Sequence, residues 1–147
     1  MQVPGKDVQP LTQNILDNNR LHKIALKVNN ILILMNWIPL TNEEQLLDIV
    51  EKSRTVPQVI FKHSTRCSTS SLVLNRLERS TITSELDFHF LDLLTYRKLS
   101  NKIAEDFDVY HESPQVLVIK NGQCVYDENH MSILMEELNE QALIKQG

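Results

Sequence analysis

Pro57-Gln-Val-Ile-Phe-Lys-His-Ser-Thr-Arg-Cys67-Ser-Thr-Ser-Ser-Leu72 reads as an apolar strand that ends in polar residues and passes, through one cysteine, into a helical pattern. At a helix N-terminus the unpaired backbone N–H groups and the positive end of the helix dipole favour a thiolate over a thiol, and the thiolate is the nucleophile. A dithiol oxidoreductase would carry a second cysteine three residues on. Here that position is Ser70, so Cys67-x-x-Ser70 can attack a disulfide but cannot close one locally. Lys62 and His63 alternate faces near the strand end, which places at most one of them beside the thiol. The competing interpretation is a structural cysteine, because free Cys is among the most buried residue types.

The surrounding chain is consistent with one domain. Its 147 residues suffice for an ordinary core. A net charge of −4 and the lack of a basic run argue against electrostatic nucleic-acid binding. Only Cys67 and Cys124 are present, without a Cys/His cluster at metal spacing, which points to a reducing compartment and to no bound metal. The apolar run Ile31–Ile38 falls short of the ~20 residues a spanning helix needs. With no secretory pattern at the front, the expectation is a cytoplasmic protein that binds neither membrane nor nucleic acid and is a monomer.

Residues 1–34 read as an N-terminal extension, either poorly ordered or a misassigned start with Met35 the true first residue. From Trp37 onward the signals are orderly. Thr41-Asn-Glu-Glu44 reads as a capping box opening a helix with Leu46, Leu47, Ile49 and Val50 on its apolar face. Val56-Pro57 ends it. Gln58–Lys62 then reads as a buried strand and Ser68–Arg79 as a helix with Leu72, Val73, Leu77 and Leu74 inward. Asp87–Leu93 reads as a second strand and Thr95–Phe107 as a helix. A strand over Gln115–Lys120, a turn at Asn121-Gly122 and a returning strand over Gln123–Tyr126 follow. A last helix runs from about His130 to about Leu143. The order β-α-β-α-β-β-α, with a helix in front, predicts an α/β thioredoxin-like fold: a central four-stranded mixed sheet flanked by helices, plus the extra N-terminal segment. Cys67 then lies beyond the carboxyl end of a strand, where such sheets bind ligands.

Over about Trp37 to Leu138 the chain resembles the monothiol bacilliredoxins of the YtxJ-like family. The resemblance rests on Phe61-Lys-His-Ser-Thr-Arg-Cys-Ser-Thr-Ser70, Leu91-Asp92, Arg97-x-x-Ser100-Asn101, Val109-x-His111-Glu-Ser-Pro-Gln115 and the Gly122…His130 spacing. It implies that residues 35–147 form a redox domain removing bacillithiol from mixed disulfides with protein cysteines. Bacillithiol and S-bacillithiolated proteins are then the partners, and no cofactor is needed beyond that thiol substrate. Carried over by position, Cys67 is the attacking thiol and Ser70 stands where a resolving cysteine would be. Read from sequence alone, Pro114 is either a strand-start proline in trans or a cis-proline; the resemblance selects cis, with Ser113 turned to pair with an extended substrate. Thr69 stands where relatives often have a larger apolar residue.

Arg66, Ser68, Thr69, Ser70, Ser113 and Pro114 are therefore the expected substrate contacts. Arg66 is the side chain expected to attract the carboxylates of a bacillithiol malate group, against the alternative of a solvated surface arginine. His63 and His111 are candidates for tuning the thiolate, and His130 for lining the same mouth, although a lone histidine is more often structural. Cys124 lies two residues past the Asn121-Gly122 turn. About 6 strand residues separate it from Pro114, or ~20 Å, beyond the ~7 Å a disulfide allows. Two other functions fit a thioredoxin-like domain: a non-catalytic binding module, and a glutaredoxin-like protein acting on another low-molecular-weight thiol. Iron–sulfur carrying is disfavoured, because Cys67-Ser-Thr-Ser replaces the Cys-Gly-Phe-Ser used there.

Overall fold

The computed structural model describes residues 35–146, so the expectations for residues 1–34 lie outside the described residues. The elements are β1 (Trp37–Pro39), α1 (Glu43–Lys52), β2 (Gln58–His63), α2 (Ser68–Arg79), β3 (Asp87–Asp92), α3 (Arg97–Asp106), β4 (Gln115–Lys120), β5 (Gln123–Asn129), a 3-10 turn at His130–Ser132 and α4 (Met135–Leu143). They form one sheet in the order β1-β3-β2-β4-β5. β3 runs parallel to β1 and β2, β4 is antiparallel to β2, and β5 is antiparallel to β4.

The sheet thus has five strands, not four. Trp37–Pro39 adds the extra one at the β3 edge, with Trp37 opposite Phe88. The cause is aromatic packing: the Trp37 ring stacks on Phe61 at 5.6 Å and meets Phe88 and Phe90 edge-on at 5.8 and 5.7 Å. Pro39 sits at the end of this outer strand, where a missing N–H does not break the sheet.

Every residue of β2 is buried, and its pleat sorts side chains between two cores. Val59 and Phe61 pack with Val73 and Leu77 of α2 and with Met135 and Leu138 of α4. Ile60 packs on the opposite face with Leu46 and Ile49 of α1 and Leu99 and Ile103 of α3. Leu47 and Leu72, expected inward, are 68% and 61% exposed; each helix buries a narrower stripe than its apolar content allows. The capping box of α1 is shifted by one residue: Asn42 Oδ1 accepts from Gln45 N at 2.9 Å, and Gln45 Oε1 accepts from the backbone of Asn42 and Thr41.

The Asn121-Gly122 turn forms as expected, both residues having positive φ (50° and 75°), as this hairpin type requires. It docks on α1, with Gly122 N–H donating to Ser53 Oγ at 2.8 Å. β5 continues past Tyr126 to Asn129, and the last helix begins at Met135, not His130. Arg76 of α2 holds the intervening segment by donating to the carbonyls of Met131 and Ile133, and Lys120 satisfies carbonyls at the C-terminal end of α4.

On the α1/α3 face lies His89, 4% exposed. Gln58 donates its amide N–H groups to Val56 O and Asp87 Oδ2, so its Oε1 accepts from His89 Nε2 at 2.8 Å. Burial pushes His89 from 6.5 down to about 4, against the charge of Asp87. The unfolded chain therefore takes up the proton first, and stability is lost as pH falls from 6.5 through about 4. Urea unfolding should show a loss of roughly 3 kcal/mol across that window, with a shallower pH slope in His89→Gln; identical slopes would contradict the assignment.

Candidate active site

The parallel strands β2 and β3 end at the same edge of the sheet, His63 opposite Asp92. The antiparallel strand β4 begins there, Gln115 opposite Lys62. Three connections therefore meet at this edge: residues 64–67 leading into α2, residues 93–96 leading into α3, and residues 111–114 leading into β4. The Ser113–Pro114 peptide is cis, as the resemblance implied, and Pro114 O accepts from His130 N at 3.0 Å.

Cys67 is the N-cap residue of α2, with extended φ and ψ of −106° and 115°. Its N–H donates to Ser64 O at 3.1 Å and its carbonyl accepts from Ser71 N at 3.2 Å. The thiol is partly exposed and Thr65, Arg66 and Ser68 around it are exposed. The first turn of α2 carries no acidic residue. The predicted junction between strand and helix is thus present at Cys67, and the backbone N–H groups of Ser68 and Thr69 open the helix beside it.

Ser70 points inward. It is fully buried, its Oγ accepts from Ser64 N at 3.1 Å, and it lies 2.7 Å from His63 Nδ1. The side chain at position 70 is therefore committed to bracing the loop that carries Cys67 and has no exposed surface. His63 packs between Phe61 and Phe90, and burial lowers its pKa, opposed by the charges of Asp92 and Glu78. Its ring thus supports the loop through Ser70.

Lys62 turns to the opposite face, as the alternation required. It is fully buried, with Nζ donating to Ser100 O at 3.1 Å and 3.5 Å from His111 Nδ1. His111 also has Ser100 Oγ 3.3 Å from Nδ1 and Arg97 Nη1 3.3 Å from Nε2. This Lys62–Ser100–His111–Arg97 cluster was not foreseen as a unit. Its signal was a lysine inside the otherwise buried run Gln58–His63. His130 pairs with Glu112 at 3.3 Å.

Cys124 packs with the α1/α3 core, pairs with Ile119 at the turn end of the hairpin, and donates to Tyr126 O at 3.3 Å. Burial, then the Asp127 charge, pushes its thiol up to about 11, which makes it a poor nucleophile. Ile119 and Gln115 are four strand steps apart, ~13 Å, so Cys124 is remote from the edge where Cys67 lies.

Comparison with known proteins agrees with this geometry. The family model for monothiol bacilliredoxin BrxC matches residues 38–138. Among solved structures, a candidate oxidoreductase with a thioredoxin fold is 28% identical, with a TM-score of 0.63 over 72% of this chain and 92% of that one. Thioredoxins from Schistosoma mansoni (a pre-protein in reduced form) and Trypanosoma brucei brucei are 17% and 13% identical. Their TM-scores are 0.60 and 0.57, over 74% of this chain in each case and 99% and 89% of theirs. The fold is the thioredoxin fold, and no helix among the described residues is long and apolar enough to cross a membrane.

Burial lowers Lys62 from 10.5 to about 8. Between those values the unfolded chain holds a proton that the folded chain has lost, so this group's penalty is full below about pH 8 and fades as pH rises to 10.5. Lys62→Met should be more stable than the native protein by about 2 kcal/mol at pH 7, with the advantage shrinking across that window in denaturant titrations. A Met variant that is less stable at pH 7 would show that the ammonium is a net stabilising group.

Proposed function

Because the chain belongs to the monothiol bacilliredoxin family, we propose that it removes bacillithiol from mixed disulfides with protein cysteines, using Cys67 alone. The observation that carries this reading is the pairing of a partly exposed cysteine at the start of α2 with a buried, hydrogen-bonded Ser70 at the resolving position. The Cys67 thiolate attacks the bacillithiol sulfur of the mixed disulfide. The old S–S bond breaks, the client sulfur leaves as a thiolate and is protonated by solvent, and a Cys67–bacillithiol disulfide forms. A second small thiol, as its thiolate, then attacks the bacillithiol sulfur. It supplies the electron pair, leaves as the mixed or symmetrical disulfide and returns Cys67 to the thiolate.

Several features support each step. The N–H groups at the start of α2 face the site of negative charge. Ser113 and the cis Pro114 lie at the same sheet edge, where an extended client segment can pair with backbone. Arg66 is exposed beside the thiol and available to an anionic substrate. Cys124 takes no part, being half-buried, poorly nucleophilic and distant.

Turnover on a bacillithiolated reporter protein provides the test. Cys67→Ser should lose at least ~10³-fold of the rate, because the nucleophile itself is removed, while Cys124→Ser retains most of it. Running the glutathionylated form of the same reporter in parallel reads the thiol preference. Equal turnover of the two forms would assign the domain to low-molecular-weight thiols in general, and loss of turnover in Cys124→Ser would refute the single-thiol mechanism.

A further inference from the structure

Basic side chains gather where α3 begins. Arginine is an obligate donor, an ammonium has no lone pair, and a neutral imidazole offers one N–H and one acceptor. His111 has Arg97 Nη1 3.3 Å from Nε2, and Lys62 Nζ 3.5 Å and Ser100 Oγ 3.3 Å from Nδ1. If Nε2 accepts from Arg97, the Nδ1–H faces the Lys62 ammonium. If Nδ1 accepts from Lys62, the Nε2–H faces the Arg97 guanidinium. In the first tautomer Nδ1–H can donate to Ser100 Oγ while Lys62 donates to Ser100 O, so neutral oxygens satisfy the hydrogen bonds and leave the positive charge without a counter-ion.

Nearby acids do not relieve this. Glu112 is paired with His130 at 3.3 Å. Asp92 accepts from Leu94 N and from the N–H and hydroxyl of Thr95. Among the described residues, no carboxylate lies within ion-pair distance of Lys62, Arg97 or His111. α3 opens here without an acidic residue in its first turn and without a side-chain cap at Tyr96, so its dipole adds to the positive field. Lys62 is fully buried beneath, while Arg97 and His111 are exposed. The arrangement is a cation-backed donor pair open to solvent. It lacks a counter-anion among the described residues.

We propose that Arg97 and His111, backed by Lys62, form a carboxylate-binding site that receives an acidic group of the small thiol joined to Cys67. A carboxylate between them accepts from Arg97 and from the Nε2–H of His111, and the freed Nδ1 accepts from Lys62 or Ser100. The basic groups then have a counter-ion, and charge-assisted bonds of this kind are the strong ones. The site lies at the sheet edge that carries Cys67, because Lys62 pairs with Gln115 and His111 stands three residues before Pro114. The inference rests on the redox reading above and deepens it: the selected substrate is an anionic thiol, and Arg97, given no role by the sequence, is the residue that selects it.

The test compares two small symmetrical disulfides containing no protein, those of mercaptosuccinate and mercaptoethanol. The rate of adduct formation on Cys67 of the full chain is followed by peptide mass. The ratio of the acidic to the uncharged rate should fall about tenfold in Arg97→Gln, recover in part in Arg97→Lys, and stay at the native value in Arg54→Gln, which removes a surface charge elsewhere. Free succinate should slow the acidic disulfide alone. An unchanged ratio in Arg97→Gln would overturn the site, as expected if the cluster serves carboxylates of client proteins, and an equal fall in Arg54→Gln would reduce it to net charge. Failure of Cys67 to take up either disulfide would instead sink the redox reading itself.

Discussion

The burial of β2 on both faces is the constraint from which the rest of the molecule follows. All six of its residues are buried, and a strand has only two directions in which to send side chains. Val59, Phe61 and His63 face α2, while Ile60 and Lys62 face α1 and α3. A slip of one residue in register would exchange these sets, removing Phe61 from the aromatic cluster and putting Lys62 against Trp37, Phe88 and Phe90. The polar residues at the end of β2 are therefore as strictly placed as the apolar ones.

That placement builds the site from both sides of the sheet edge. On one side, His63 and Ser70 brace the loop that delivers Cys67 to the start of α2. On the other, Lys62 underlies His111 and Arg97 at the start of α3. The first side fixes Cys67, and the second sets the exposed Arg97 and His111 over the buried Lys62. The perturbed ammonium of Lys62, buried without a counter-ion among the described residues, is of the kind proteins concentrate at functional sites. One strand thus links core packing to the chemistry expected at Cys67.

Much of this could be read from the chain. The passage from Gln58 through Cys67 into Ser68 announced strand, thiol and helix, and α2 has the predicted bounds. Asn121-Gly122 announced the hairpin because few other pairs adopt two successive positive φ angles. Other features depended on tertiary partners invisible locally. Trp37–Pro39 is too short to read as a strand without Phe88 beside it. Leu72 fits the periodicity of α2 but meets no opposing element among the described residues. The donor cluster draws Lys62, Arg97 and His111 from three separate elements, and no spacing rule connects them. That Ser70 is not a thiol is plain from the chain, but its bracing of the loop through Ser64 and His63 depends on how α2 packs against the end of β2.

The account turns on Cys67 reacting without an internal partner. Cys124 is half-buried at the turn end of the hairpin, and position 70, three residues after Cys67, is a serine. Intact-mass analysis of the native protein after oxidation by an excess of a small symmetrical disulfide tests this most directly. The predicted result is a gain of one small-thiol residue per chain, located on Cys67 and released by added thiol. A product two protons lighter than the reduced chain, carrying a Cys67–Cys124 disulfide and no adduct, would contradict it.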